Sequence, residues 1–172
     1  MRRTQGWIVL LGLLVFCAAQ AFADAKPAPP MKPNPGFDKL KSLVGAWQGT
    51  SKDGKPVTAS YTLVSDGSAL MEDLGHGTEM NMVTMYHPDG DRLMMTHYCA
   101  TSNQPRMRAE MSPDGKSLKF TFLDATNLAS PDAGHMDRLV VSFVDKDHFT
   151  QEWTWKEKDT SNTEVFHFAR KK

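Results

Sequence analysis

The sequence predicts an all-β protein, an antiparallel up-and-down closed barrel of about ten strands. Three observations carry this. First, four Asp-Gly dipeptides punctuate the chain: Asp53-Gly54, Asp66-Gly67, Asp89-Gly90 and Asp114-Gly115. A type I′ hairpin turn needs positive φ at both central residues, which Asp tolerates and Gly adopts freely. Second, the runs between them alternate apolar and polar residues, the period of a half-buried strand. Third, helical periodicity is confined to one short segment. Many short strands joined by tight turns imply a sandwich or a barrel, and closure removes the exposed edges that invite aggregation.

The elements follow in order. Residues 1–23 read as a secretory signal peptide: Arg2 and Arg3, an apolar run from Trp7 to Phe16, and an Ala21-Phe22-Ala23 cleavage site. The apolar run is too short to span a bilayer as a helix. Cys17 follows Phe16, where a lipoprotein site would want a small residue, so it is incidental. The expected localisation is periplasmic or secreted. Residues 24–36 hold five prolines and read as an extended tether. Residues 37–43 can form one or two helical turns, with Phe37, Leu40 and Leu43 apolar. Strands follow near 44–52, 56–65, 68–74, 80–87, 92–99, 106–112, 117–123, 136–144, 148–156 and 162–170, making 37–172 one domain.

Removing 23 residues from 172 leaves 149, enough for one ordinary domain with a sizeable core. The mature balance is 18 basic residues, after loss of Arg2 and Arg3 from 20, against 20 acidic ones. Near-neutral charge disfavours nucleic acid as a partner. Cys99 is the single cysteine after cleavage, so no internal disulfide forms; the thiol is either buried and inert or reactive. The oligomeric state is not encoded in any visible pattern.

The segment Leu43-Val44-Gly45-Ala46-Trp47 resembles the Gly-x-Trp signature at the start of the first strand in lipocalins and other calycin barrels. Arg170, near the end of the last strand, matches the arginine that packs on that tryptophan. The layout over 37–172 is similar to exported bacterial lipocalin-like domains of unknown function. The chain lacks the disulfides common in secreted lipocalins, so the subfamily stays open. The resemblance implies a Trp47–Arg170 contact where the barrel closes, and a guanidinium over an indole face is a favourable cation–π pair.

Hairpin arithmetic assigns faces. With Asp89-Gly90 as the turn, Met82 faces His97, Met80 faces Cys99, Thr84 faces Met95 and Tyr86 faces Leu93. These eight carry no permanent charge and belong inside. Around Asp114-Gly115, Met107, Ala109 and Met111 join Leu118, Phe120 and Phe122 inside, while Glu110 meets Lys119 outside and Arg106 and Arg108 also point out. Around Asp66-Gly67, Val57, Ala59, Tyr61 and Leu63 join Leu70, Glu72 and Leu74. Around Lys146, Leu139, Val141 and Phe143 join Phe149, Gln151, Trp153 and Trp155. A simple register about Asp53-Gly54 sets Trp47 on the wrong face from Tyr61, and a bulge at Gly45 or Gly49 would correct it.

The expected interior is therefore apolar, with Tyr61, Glu72, Tyr86, His97, Cys99 and Gln151 pointing in. That is the composition of a small-molecule site. The expected ligand-binding set is Tyr61, Glu72, Tyr86, Leu93, Met95, His97, Cys99, Phe120, Gln151 and Trp153. Its mouth is expected between loops 75–79, 100–105 and 124–135, with the four Asp-Gly turns at the opposite end. The leading function is non-catalytic binding of a small hydrophobic molecule with one polar end. Two alternatives remain: an enzyme using Glu72 and His97 as an acid–base pair, and a structural or interaction module with a filled core. Met80, Met82, His97 and Cys99 could together hold Cu(I), whose soft character suits thioether, thiolate and imidazole; Met as simple core filler is the competing reading. Some calycin-like barrels bind haem through a histidine, and His167 is the candidate here, unless Phe166 and Phe168 take the inside and send it out. No cofactor is identified by these patterns. The chain contains no nucleotide-binding glycine loop, Gly-x-Ser-x-Gly elbow or His-Glu-x-x-His pattern.

Overall fold

A computed structural model describes residues 32–172. The expected signal peptide and most of the tether, residues 1–31, lie outside the described residues. Among the described residues, one helix, α1 (Pro35–Lys41), precedes ten strands: β1 (Gly45–Ser51), β2 (Pro56–Val64), β3 (Ala69–Leu74), β4 (Met82–Asp89), β5 (Arg92–Tyr98), β6 (Gln104–Met111), β7 (Ser117–Thr126), β8 (His135–Phe143), β9 (His148–Glu157) and β10 (Thr160–Arg170). Each strand pairs antiparallel with its sequence neighbour, and β1 pairs with β10 to close the barrel. Among the described residues no helix is long and apolar enough to cross a membrane.

Helix α1 starts two residues earlier than the periodicity predicts, because Asn34 caps it. The Asn34 side chain accepts the Phe37 amide at 3.0 Å, and Pro35 fills the first helical position, where its missing N–H costs nothing. Asn34 Nδ2 also donates to the Arg92 carbonyl at 3.1 Å, which ties the helix to the start of β5. Phe37 and Leu40 are buried, and the Gly36 backbone lies against Leu93 and Leu118. The helix thus closes the end of the barrel that carries the β2–β3, β4–β5, β6–β7 and β8–β9 turns.

Antiparallel alternation puts the β1–β2, β3–β4, β5–β6, β7–β8 and β9–β10 connections at the other end. The Asp53-Gly54 turn therefore lies with the long loops, and not with the other three Asp-Gly turns as expected.

The turns differ from simple type I′ geometry, with consequences for register. Asp89 pairs with Arg92, so the β4–β5 loop is Gly90-Asp91, with Gly90 at φ +61°. This shifts every pair on that hairpin by two: Thr84 faces His97, Tyr86 faces Met95, and Pro88 faces Leu93. An even shift preserves the faces, so the inside set survives. Met80 is the exception, 62% exposed, because two successive turns absorb residues 75–81 before β4 begins at Met82. Between β1 and β2, the Ser51 amide bonds the Lys55 carbonyl around a three-residue loop ending in Gly54 at φ +76°. The odd length flips the parity, so Trp47 pairs with Ala59 and joins Tyr61 inside without a bulge at Gly45 or Gly49. The Asp66-Gly67 and Asp114-Gly115 hairpins keep their expected registers, Tyr61 with Glu72 and Glu110 with Lys119, on loops wider than two residues.

At the seam, Arg170 pairs with Trp47 and its guanidinium sits 4.1 Å from the indole centroid. Arg170 also donates to the Val44 and Ser42 carbonyls at 2.9 Å. Trp47 Nε1 donates to the Leu43 carbonyl at 2.7 Å, and Phe149 meets the indole edge-on at 4.7 Å. The signature residues therefore lock the chain's two strand ends together, and the Gly45 backbone lies close against the Arg170 guanidinium.

Candidate functional site

The polar residues of the interior form a row. Tyr61 on β2 pairs with Glu72 on β3, Glu72 with Thr84 on β4, and Thr84 with His97 on β5. Alternation turns all four inward, and none exceeds 2% exposure. Opposite them β9 contributes Gln151 and Trp153, both buried.

Hydrogen bonds join this row across the lumen. Tyr86 Oη donates to Glu72 Oε2 at 2.5 Å, and Gln151 Nε2 donates to Glu72 Oε1 at 2.6 Å and to Tyr61 Oη at 2.8 Å. Trp153 Nε1 donates to Gln151 Oε1 at 3.1 Å. Both Glu72 oxygens thus have donors. Burial pushes the Glu72 carboxyl up from its ordinary range, against the pull of those hydrogen bonds. Burial, followed by the Glu72 charge, pushes the Tyr61 and Tyr86 phenols well up, so both remain protonated donors.

His97 stands apart from that network. Its Nδ1 lies 2.9 Å from Thr84 Oγ1, and its ring packs on Trp153 with centroids 4.5 Å apart. Its Nε2 is buried and has no protein partner. Desolvation holds the imidazole down at about 4, so the ring is neutral at pH 7. A neutral ring presents one N–H and one lone pair, and whichever Thr84 does not use faces inward.

A second unpartnered buried atom, Asn103 Oδ1, lies on the connection from β5 to β6. The Asn103 carbonyl accepts the Cys99 amide at 3.1 Å, and its Nδ2 donates to Gly134 at 2.9 Å. Asn127 Nδ2 donates to the Ser102 carbonyl at 2.5 Å. The loops on either side of β6 and β7 are therefore tied to each other at the end away from α1. Gly134 lies flat against Trp155, and His135 is buried against Phe122 with ring centroids 4.4 Å apart.

Tyr61, Glu72, Tyr86, Leu93, Met95, His97, Phe120, Gln151 and Trp153 are all buried in the barrel, and Cys99 is buried at its loop end. Glu72 and His97 do not pair: the carboxylate bonds Tyr86 and Gln151, the imidazole bonds Thr84. The inner Cu(I) set does not assemble as expected, since Met80 is on the surface, while Cys99 Sγ accepts the Thr101 hydroxyl at 3.2 Å. His167 is exposed on the outer wall, beside a surface hollow of about 490 Å³ along the β1–β10 seam, and Phe168 takes the inside. Thr84, Asn103 and His135 were missed. Thr84 was on the inner face and legible there; Asn103 and His135 depend on loop conformations that alternation does not specify.

No protein-family model matches the chain, and no curated protein matches it. Among solved structures it is similar to the crystal structure of Rv2717c from M. tuberculosis, with a TM-score of 0.53 and 13% identity, covering 82% of this chain and 100% of that one. At that identity the likeness is one of fold alone.

Proposed function

We propose that the barrel binds a small, mostly apolar molecule with one neutral polar end, without catalysis, and that it does so as an exported lipocalin-like protein. The observation that carries this is His97 Nε2, an unpartnered polar atom in an interior whose other inward polar side chains are hydrogen-bonded. Buried polar atoms without partners are rare and call for an explanation. A ligand hydroxyl or carbonyl supplies what Nε2 lacks. Asn103 Oδ1, unpartnered on the β5–β6 connection at the loop end, supports entry from that side.

The chemistry of the polar end follows from charge. No lysine or arginine is among the buried residues described, and the His97 ring is neutral. A carboxylate headgroup would enter without a counter-charge and beside Glu72, at a desolvation cost of several kcal/mol. The site therefore selects an alcohol or carbonyl over the matching acid. Titrating the protein with decanol and with decanoate, read by tryptophan fluorescence, tests this. The expected result is saturable quenching by decanol, weakened in His97→Leu, with decanoate ineffective. No saturable response to either ligand, together with equal masses under native and denaturing electrospray conditions, overturns it. That outcome selects the filled-core reading, which the Gln151 bridge across the lumen favours.

A further inference from the structure

A second cluster of soft ligands lies on the outer wall, away from the interior site. Met71 on β3 pairs directly with Met85 on β4, and His87 on β4 pairs directly with Met94 on β5. Residues 85 and 87 are two apart on β4, with Met94 beside them on β5 and Met71 on the far side on β3, so Met85, His87 and Met94 form a triangle on one sheet face and Met71 lies at its edge. Directly opposed Cβ atoms on an antiparallel pair lie about 4.5–5.5 Å apart, and diagonal ones about 7–8 Å. The two flexible thioethers of Met85 and Met94 can converge with the His87 ring over such a triangle. The three methionines are half-buried and His87 is exposed. The patch is flanked by Thr62 opposite Met71, Thr96 opposite Met85, and Arg108 opposite Met94. Arg108 is itself directed toward Glu110, at 3.9 Å.

The His87 ring is already oriented. Its Nδ1 lies 3.1 Å from the Pro88 carbonyl, and a carbonyl only accepts, so Nδ1 carries the proton and Nε2 keeps its lone pair. A backbone carbonyl on the far nitrogen is the usual arrangement behind a metal-bound histidine. Thioether and imidazole together select soft monovalent ions over Ca²⁺ or Mg²⁺. We propose that Met85, His87 and Met94 form a binding site for Cu(I) or Ag(I) on the outside of the barrel.

Silver nitrate is the redox-inert probe, added to the whole protein labelled with ¹³C at its methionine methyl groups. The expected result is that the methyl signals of Met85 and Met94 shift together and saturate at one equivalent, while those of the inner Met82, Met95 and Met107 stay in place. Met85→Leu with Met94→Leu keeps side-chain volume, and an unchanged thermal melt confirms the fold. That variant should bind Ag(I) weaker by about tenfold or more, and His87→Gln likewise. Cys99→Ser should bind as the parent does. Loss of binding in Cys99→Ser with retention in the methionine variant places the ion on the thiol and overturns the proposal. So does the absence of any saturable shift.

Discussion

His97 and Glu72 sit in one interior, yet burial moves them in opposite directions relative to pH. The His97 pKa of about 4 lies below its ordinary 6.5, so below pH 6.5 the unfolded chain takes up a proton that the folded chain refuses. The stability this group contributes is complete above pH 6.5 and is lost as pH falls toward 4, amounting to about 3 kcal/mol over that window. Chemical denaturation at pH 7 and pH 4.5 should show that His97→Gln loses less stability on acidification than the parent. An unchanged pH slope in the variant would contradict a buried neutral ring. Glu72 works the other way. Its raised pKa means the folded chain holds a proton longer, so stability declines as pH rises above 4.5 through the folded value. Glu72→Gln should flatten that decline, because the amide is neutral and the Tyr86 hydroxyl can reverse its role. Glu72→Ala should cost about 1–3 kcal/mol for each donor stranded on Tyr86 and Gln151. Denaturation curves of the two variants at pH 8 separate the outcomes.

The elements show which parts of the structure alternation makes legible and which it does not. The Tyr61–Glu72 and Glu110–Lys119 pairings follow from residue patterns alone, since a buried face punishes any one-residue slip. The β4–β5 register was displaced by two because Gly90, not Asp89, takes the first turn position; the faces survived because two is even. Trp47 needed an odd loop, and the dipeptide Asp53-Gly54 looks the same in a two- or three-residue turn. Partners across the lumen, such as Gln151 with Glu72, depend on how the sheet closes, which no local pattern encodes. The closing seam makes its own prediction. A Cβ at Gly49 would lie 2.3 Å from the His167 carbonyl oxygen, a backbone atom that cannot move alone. Gly49→Ala should therefore lower the melting temperature, as should Arg170→Ala, which removes the cation–π contact on Trp47 together with the hydrogen bonds to the Ser42 and Val44 carbonyls. Comparable melting of Gly49→Ala and the parent would mean that the seam is looser than described.

At the scale of the whole molecule, the barrel has two unlike ends. Helix α1 closes one with Phe37 and Leu40, and loops tied together through Asn103 and Asn127 stand at the other. The interior row from Tyr61 to His97 runs across the sheet between them, saturated at Glu72 and open at His97 Nε2. The proposed function depends on that asymmetry. Its most direct test is the ¹⁵N spectrum of the histidine rings in the folded protein, recorded without and with decanol. His97 Nε2 should shift on saturation, while the outer histidines His76, His87, His148 and His167 should not. A His97 ring that stays unchanged while decanol is bound, or decanol that perturbs only the outer histidines, would contradict it.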